Sequence, residues 1–286
     1  MNSSNSERPI NEQSSGRLEP LILLLLAGLF GFGQYVYAEA DPTPEERDRR
    51  QLEESVQSLT DKIAASPKDD RLYSQRGDAL FFLGKFQQAV ADYDKMVELK
   101  PQLDASHWRR GIAYYYTGRY ADAAAQFDRY HSFDNVDREN GIWRYLSQAM
   151  EQGREEAQQE LLRYEKDDRE PFPDVYQLFA GKITPQQILT HIADAEISET
   201  ERTKREFYAH LYIGLHLVVL EDHENALIHL EKASKNTWAP TAGYGPHYMW
   251  QVARLHHQKL QDQLKPKTTM VDEDHGFPVT ACGCRF

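Results

Sequence analysis

Leu52, Val56, Leu59 and Ile63 follow one another at spacings of four, three and four, which puts them on one face of a helix ending before Ser66-Pro67. Thr43-Pro44-Glu45-Glu46 opens that helix with a capping box, a hydroxyl cap answered three residues later by a carboxylate. Tyr248, Val252, Leu255 and Leu260 form a comparable stripe near the other end, before Pro266 starts a polar tail. Between these flanks, Trp143, Leu146, Met150 and Ala157 keep helical spacing, as do Phe207, Leu211 and Leu215. Pro171-Phe172-Pro173 interrupts the pattern. Thr184-Pro185-Gln186-Gln187 and Ser198 to Glu201 then start two further helices with a side-chain cap and an acidic or amide residue reaching back.

A longer period lies over the helical one. Arg76 and Arg110, Gly77 and Gly111, Gly84 and Gly118, Phe86 and Tyr120, Ala89 and Ala123, and Tyr93 and Phe127 are each 34 residues apart. Gly77 and Ala89 are small, so two antiparallel helices can approach closely there, while Gly84 supplies backbone freedom for the turn between them. Tyr73, Phe86 and Tyr93 fill the space around that contact. A period of 34 with an aromatic, a glycine, an alanine, an aromatic and a closing proline resembles the tetratricopeptide-repeat (TPR) family. In residues 70–103 these are Tyr73, Gly77, Ala89, Tyr93 and Pro101. The second copy, 104–137, has Asn135 where the proline would fall. A degenerate copy spans 138–171, with Tyr145 at the glycine position, and a further copy spans 207–240, with Gly214, Ala226, Leu230, Ala233 and Pro240 on the expected offsets.

The resemblance implies an all-α TPR solenoid of antiparallel helix pairs with N- and C-terminal capping helices. The expected order is a signal peptide or membrane anchor over 1–40, a capping helix over 41–69, two clear repeats over 70–137 and the degenerate repeat over 138–171. A helical insertion over 172–206, the repeat over 207–240, a C-terminal capping helix over 241–265 and a flexible tail over 266–286 complete it.

Composition narrows the partners. The net charge of -12 comes from 45 acidic and 33 basic residues with no long single-sign block, so protein partners are expected and nucleic acid is not. Leu21 to Phe32 is a continuous run of apolar residues and glycines, extended by Gly33 to Ala38. It reads either as a secretory signal cleaved near Val36-Tyr37-Ala38 or Ala38-Glu39-Ala40, or as an uncleaved anchor whose 18 residues rise about 27 Å. Both readings place the body outside the cytoplasm, in the periplasm or tethered to the membrane facing it.

No nucleophile elbow, dinucleotide fingerprint, P-loop or zinc-protease helix occurs, so no catalytic residue and no cofactor is expected. The adjacent His256 and His257 diverge by about 100° on a helix and are expected on an exposed edge. Cys282 and Cys284, with Asp272, Glu273, Asp274 and His275, carry the alternative function, a metal-handling or thiol-redox accessory role; a free tail is the simpler reading, and no metal ligand is assigned. Asp174, Asp194 and Glu196 are the carboxylates available to a hydrolase, and surface solvation accounts for them.

In TPR stacks the first helix of each repeat lines a concave groove that accepts an extended peptide or a helix. Alignment of the copies puts Ser74, Asp78, Phe81 and Phe82, and then Trp108, Ile112, Tyr115 and Tyr116, at that wall. Phe81, Phe82, Trp108, Ile112, Tyr115 and Tyr116 are the candidate partner-binding residues, with Trp108 the expected anchor. For Phe81, Tyr115 and Tyr116 the competing reading is packing between repeats. Ser74 and Asp78 stand where the TPR proteins that grip chaperone C-termini use lysine and asparagine, which disfavours that ligand. Leu178-Phe179-Ala180-Gly181-Lys182, Thr184-Pro185 and the run from Tyr208 to Gly214, behind an export signal, look similar to the NlpI type of periplasmic TPR lipoprotein. That likeness implies envelope hydrolases or proteases as partners. It does not imply a lipid anchor, because no cysteine precedes Cys282.

Overall fold

The computed structural model describes residues 43–265, so the expected signal or anchor over 1–40 and the tail with Cys282 and Cys284 lie outside the described residues. Twelve α-helices and no strand occur among the described residues. No helix among them is long and apolar enough to cross a membrane.

Helix α1, Pro44–Ala65, starts at the expected capping box: Glu46 N donates to Thr43 Oγ1 at 3.2 Å, and Thr43 N donates to Glu46 Oε2 at 2.7 Å. Burial along its stripe is graded, with Leu52 and Val56 half-buried and Leu59 and Ile63 buried against α2. The next two helix pairs are α2, Asp70–Phe82, with α3, Phe86–Leu99, and α4, Trp108–Tyr116, with α5, Tyr120–Phe133.

The 34-residue period is a packing period. The Tyr93 ring lies directly on Gly77, where a Cβ would come within 2.6 Å of it, and Phe127 lies on Gly111 in the same way at 2.7 Å. A polar clamp repeats with them. Arg76 donates to both oxygens of Asp92 at 2.8 and 2.7 Å, and Arg110 donates twice to Gln126 Oε1 at 2.9 and 2.6 Å. Arg144, one further period on, reaches the Glu160 carbonyl at 2.8 Å. The acceptor there is a backbone carbonyl and not a side chain, and the position equivalent to Gly77 and Gly111 holds Tyr145.

Helix α6, Arg138–Gln152, begins this third copy, but its partner α7, Arg154–Gln159, is only six residues long, and residues 160–171 are irregular apart from turns. The charged run Glu165 to Glu170 offers no apolar face that would support a longer helix. Tyr164 instead packs on Gly141 of α6, which does for this pair what Gly77 does for the first. Met150, expected in the apolar stripe, is exposed.

Helices α8, Phe172–Phe179, and α9, Pro185–Asp194, occupy the expected insertion, the latter opened by the Thr184–Gln187 capping box. Helix α10, Glu199–Val219, starts at Ser198, so one continuous helix joins the end of that segment to the last copy. Gly214 of α10 meets Leu230 of α11, His223–Ser234, at a distance that leaves a Cβ only 2.7 Å from Cγ. The turn between them has Glu221 at φ 61°, in the position that Gly84 (φ 73°) and Gly118 (φ 75°) hold in the first two copies.

Helix α12, Tyr244–Leu264, packs on α11 and also returns to α2. Its Trp250 Nε1 donates to the Ser234 carbonyl on one side at 2.7 Å. On the other side Tyr248 enters the aromatic cluster of the first two repeats.

Candidate functional site

Helix α12 fills the wall that α2 and α4 would otherwise present. The Tyr248 ring stacks on Phe81 at 5.0 Å, meets Phe82 edge-on at 5.2 Å and meets Trp108 edge-on at 4.9 Å. Tyr244 Oη donates to Asp78 Oδ2 at 2.6 Å, and Arg109 holds Asp78 and Ser74 from the other side at 2.6 and 3.1 Å. Farther along, Tyr116 Oη and His256 Nδ1 share a hydrogen bond of 2.9 Å.

This arrangement corrects the expected site. Phe81 and Tyr116 are core side chains covered by α12, and Tyr115 is buried between the repeats against Tyr120 and Trp143 at 5.5 Å each. Phe82 is half-buried and packed against α12. His256, expected on an exposed edge, is likewise buried, and burial followed by the charge of Lys259 pushes its pKa down to about 3. A stripe read along α12 alone cannot show this, because the side of the helix that carries His256 is buried by residues 140 positions earlier.

Trp108, packed against Tyr248 and Tyr244 of α12, is half-buried, and Ile112 is buried. They line a cavity of about 380 Å³ between α4, α6, α10 and the first turns of α12. Trp143, Tyr208, Trp238 and Met249 are among the other side chains of its apolar wall. Its polar wall is a charged cluster at the start of α6. Arg169 donates to Asp137 at 3.1 Å, to Glu139 at 2.5 Å and to Asp168 at 3.3 Å. Tyr212 Oη donates to the other Glu139 oxygen.

Asp137 also caps α6, accepting from Glu139 N at 3.1 Å, and Asp168 accepts from Arg138 N at 2.9 Å. Burial raises the Glu139 carboxyl to about 7, and Asp137 and Asp168 add to the shift against the pull of Arg169. Burial raises Asp137 as well. For Arg169, burial opposes the charged form, yet Glu139, Asp137 and Asp168 together hold its pKa above the ordinary value.

Residues 47–136 match the family model described as Tetratricopeptide repeat. That stretch carries tetratricopeptide repeats. The match begins inside α1, so the helix expected as a cap forms part of the matched stretch, and it ends one residue before Asp137. With its helix pairs, the described body is an all-α TPR solenoid. The solved MamA RS-1 ArsTM double mutant is similar at 18% identity over 69% of this chain and 92% of that chain, with a TM-score of 0.39, too slight a likeness to carry an argument. A comparison with curated proteins found no match.

The repeat pattern gives no sign of the cluster of Asp137, Glu139 and Arg169. Asp137 and Glu139 look like ordinary helix-start acids, and Arg169 sits in a charged run with no periodicity. The one available signal is Asn135, where the repeat loses its closing proline directly before them. Among the described residues no group of three His, Cys, Asp or Glu side chains is placed to hold a metal ion.

Proposed function

We propose that this protein is a non-enzymatic TPR adaptor that holds an extended segment of a partner protein in the cavity beside α12. The observation that carries this reading is the cavity itself: about 380 Å³ of aromatic-walled space, bordered by first helices of the repeats, at the place where α12 stops covering them. TPR helices serve protein recognition through this wall. Trp108 and Trp238 supply the rigid aromatic surface that dominates such contacts. The apolar run from Leu21 and the NlpI-type likeness support a site of action in the cell envelope, with hydrolases or proteases there as the partners.

A photo-crosslinking residue at Lys204, on the cavity rim, is expected to capture a partner that the same probe at Gln87, on α3, does not. Trp108→Ala should reduce that capture, since removal of an anchor weakens binding by about 2 kcal/mol or more. Equal capture from both positions, or capture indifferent to Trp108→Ala in a folded protein, would remove the cavity from the adaptor role. An alkaline phosphatase fusion after residue 60 tests export in a bacterial host: an inactive fusion rules it out.

A further inference from the structure

The charge around the cavity is unbalanced in one direction. Asp137, Glu139 and Asp168 converge on a single guanidinium, that of Arg169. Lys204, the other cation on the wall, shares Glu201 with Arg205, at 3.0 Å each, and the Arg138 guanidinium lies over the Tyr164 ring at 5.3 Å. Tyr212 and Tyr208, which approach from α10, bring no charge. The three carboxylates bonded to Arg169 thus outnumber the one guanidinium they share, in a place where burial makes such an excess unfavourable.

The remaining wall suits what is missing. Trp108, Trp238 and Tyr208 line the same space, and the face of an indole or phenol ring attracts a cation. Trp143, almost fully buried, closes the floor of this space with its Nε1 turned to the Tyr212 hydroxyl. The volume fits one long side chain with the backbone around it.

We propose that the cavity recognises a basic side chain, a lysine ammonium or an arginine guanidinium, presented by the extended partner segment. This inference rests on the adaptor reading and names the chemistry that reading leaves open. The cation enters between the Trp108 and Trp238 rings and the carboxylates of Asp137 and Glu139. It shares those carboxylates with Arg169.

The test uses the full-length chain and an array of capped hexapeptides that differ at one central position, carrying lysine, arginine, norleucine or glutamate. Binding is read by tryptophan fluorescence and calorimetry. Lysine or arginine peptides are expected to bind at least tenfold tighter than their norleucine partners. Glu139→Gln and Asp137→Asn should each remove most of that preference without weakening the norleucine peptides. Asparagine at 137 still caps α6, glutamine at 139 keeps one acceptor oxygen for either Tyr212 or Arg169, and thermal melts check that both variants fold.

Equal binding of norleucine peptides, lost in Trp108→Ala, would overturn the basic-residue inference and leave the adaptor reading standing. No peptide binding, with partner capture from Lys204 intact, would do the same. Tetramethylammonium or lysine amide binding as tightly as the lysine peptide would overturn it in favour of a small-cation site.

Discussion

Tyr248 of α12 and Tyr93 of α3 bring their hydroxyl oxygens to 3.3 Å across 155 residues of sequence, inside a cluster where the Tyr248 ring also stacks on Phe81. This contact ties the last helix to the first repeat. Tyr248→Ala should lower stability by about 3 kcal/mol or more, the range for removing a fully buried aromatic side chain. It should also expose α12 to cleavage at Arg254 and Lys259 in limited proteolysis. Tyr248→Phe removes only the hydroxyl and should lower stability by about 1 kcal/mol. If α12 were merely a cap on α11, Tyr248→Ala would leave the proteolysis pattern unchanged.

The turn after α10 gives a stabilising substitution. Glu221 is exposed and holds a left-handed φ of 61°, a conformation unfavourable for a residue with a Cβ. Glu221→Gly should raise stability by about 1 kcal/mol in denaturant unfolding, while Gly118→Ala at the equivalent turn should lower it by a similar amount.

Inside the helix pairs the same residue type acts through space. Gly111→Ala drives a methyl group into the Phe127 ring, and overpacking of this kind lowers stability by about 1–3 kcal/mol. Phe127→Leu in the same chain should recover part of that loss, because the obstacle is a side chain and not backbone. Failure of the double variant to exceed Gly111→Ala in melting temperature would show that the strain lies elsewhere.

The pairings inside each repeat are legible in the sequence. Gly77, Gly111, Tyr93 and Phe127 announce theirs by spacing alone, because each contact is made within one repeat. The return of α12 is not legible. Its apolar stripe reads the same whether the helix covers only α11 or also Phe81 and Tyr116, and a contact across 140 residues leaves no trace in a local period. The period accordingly puts Phe81 and Tyr116 on an open wall that their own chain covers. Arg169 is hidden for a different reason: an arginine among Lys166, Asp167, Asp168 and Glu170 looks solvated until the fold carries it to the start of α6.

Stability should fall with acid below neutrality. Burial lowers His256 to about 3, and burial with nearby positive charge lowers His210 and His216 to about 4, so these rings stay neutral in the folded state while the unfolded chain protonates them near pH 6.5. Between about pH 6.5 and 4 the unfolded state binds more protons, and each such histidine lowers stability by up to about 1.4 kcal/mol per pH unit as the pH drops. Denaturant melts from pH 7 to pH 5 measure this. His256→Gln should flatten the slope.

Glu139 acts with the opposite sign. Its carboxyl is raised to about 7 in the folded protein, chiefly by burial and then by Asp137 and Asp168 against Arg169, with Tyr212 donating to it and Tyr208 nearby. The folded state therefore binds more protons than the unfolded one between about pH 4.5 and 7, so this contribution is complete below pH 4.5 and lost as the pH rises to 7. Glu139→Gln should consequently gain stability relative to the parent at pH 8 compared with pH 5, by about 1 kcal/mol or more. A difference that stays constant across that interval would place the Glu139 titration at its ordinary value.

In an open array, each repeat touches only its neighbours, and stability is close to a sum of repeat and interface terms. Here α12 engages both α11 and α2, so residues at the two ends of the stack share one interface. Removing the final helix does not shorten this protein by one unit; it strips the inner face of the first two repeats and uncovers Phe81, Phe82 and Tyr116 together. Nearest-neighbour additivity should therefore break down, and the described body should melt as a single block instead of fraying from an end.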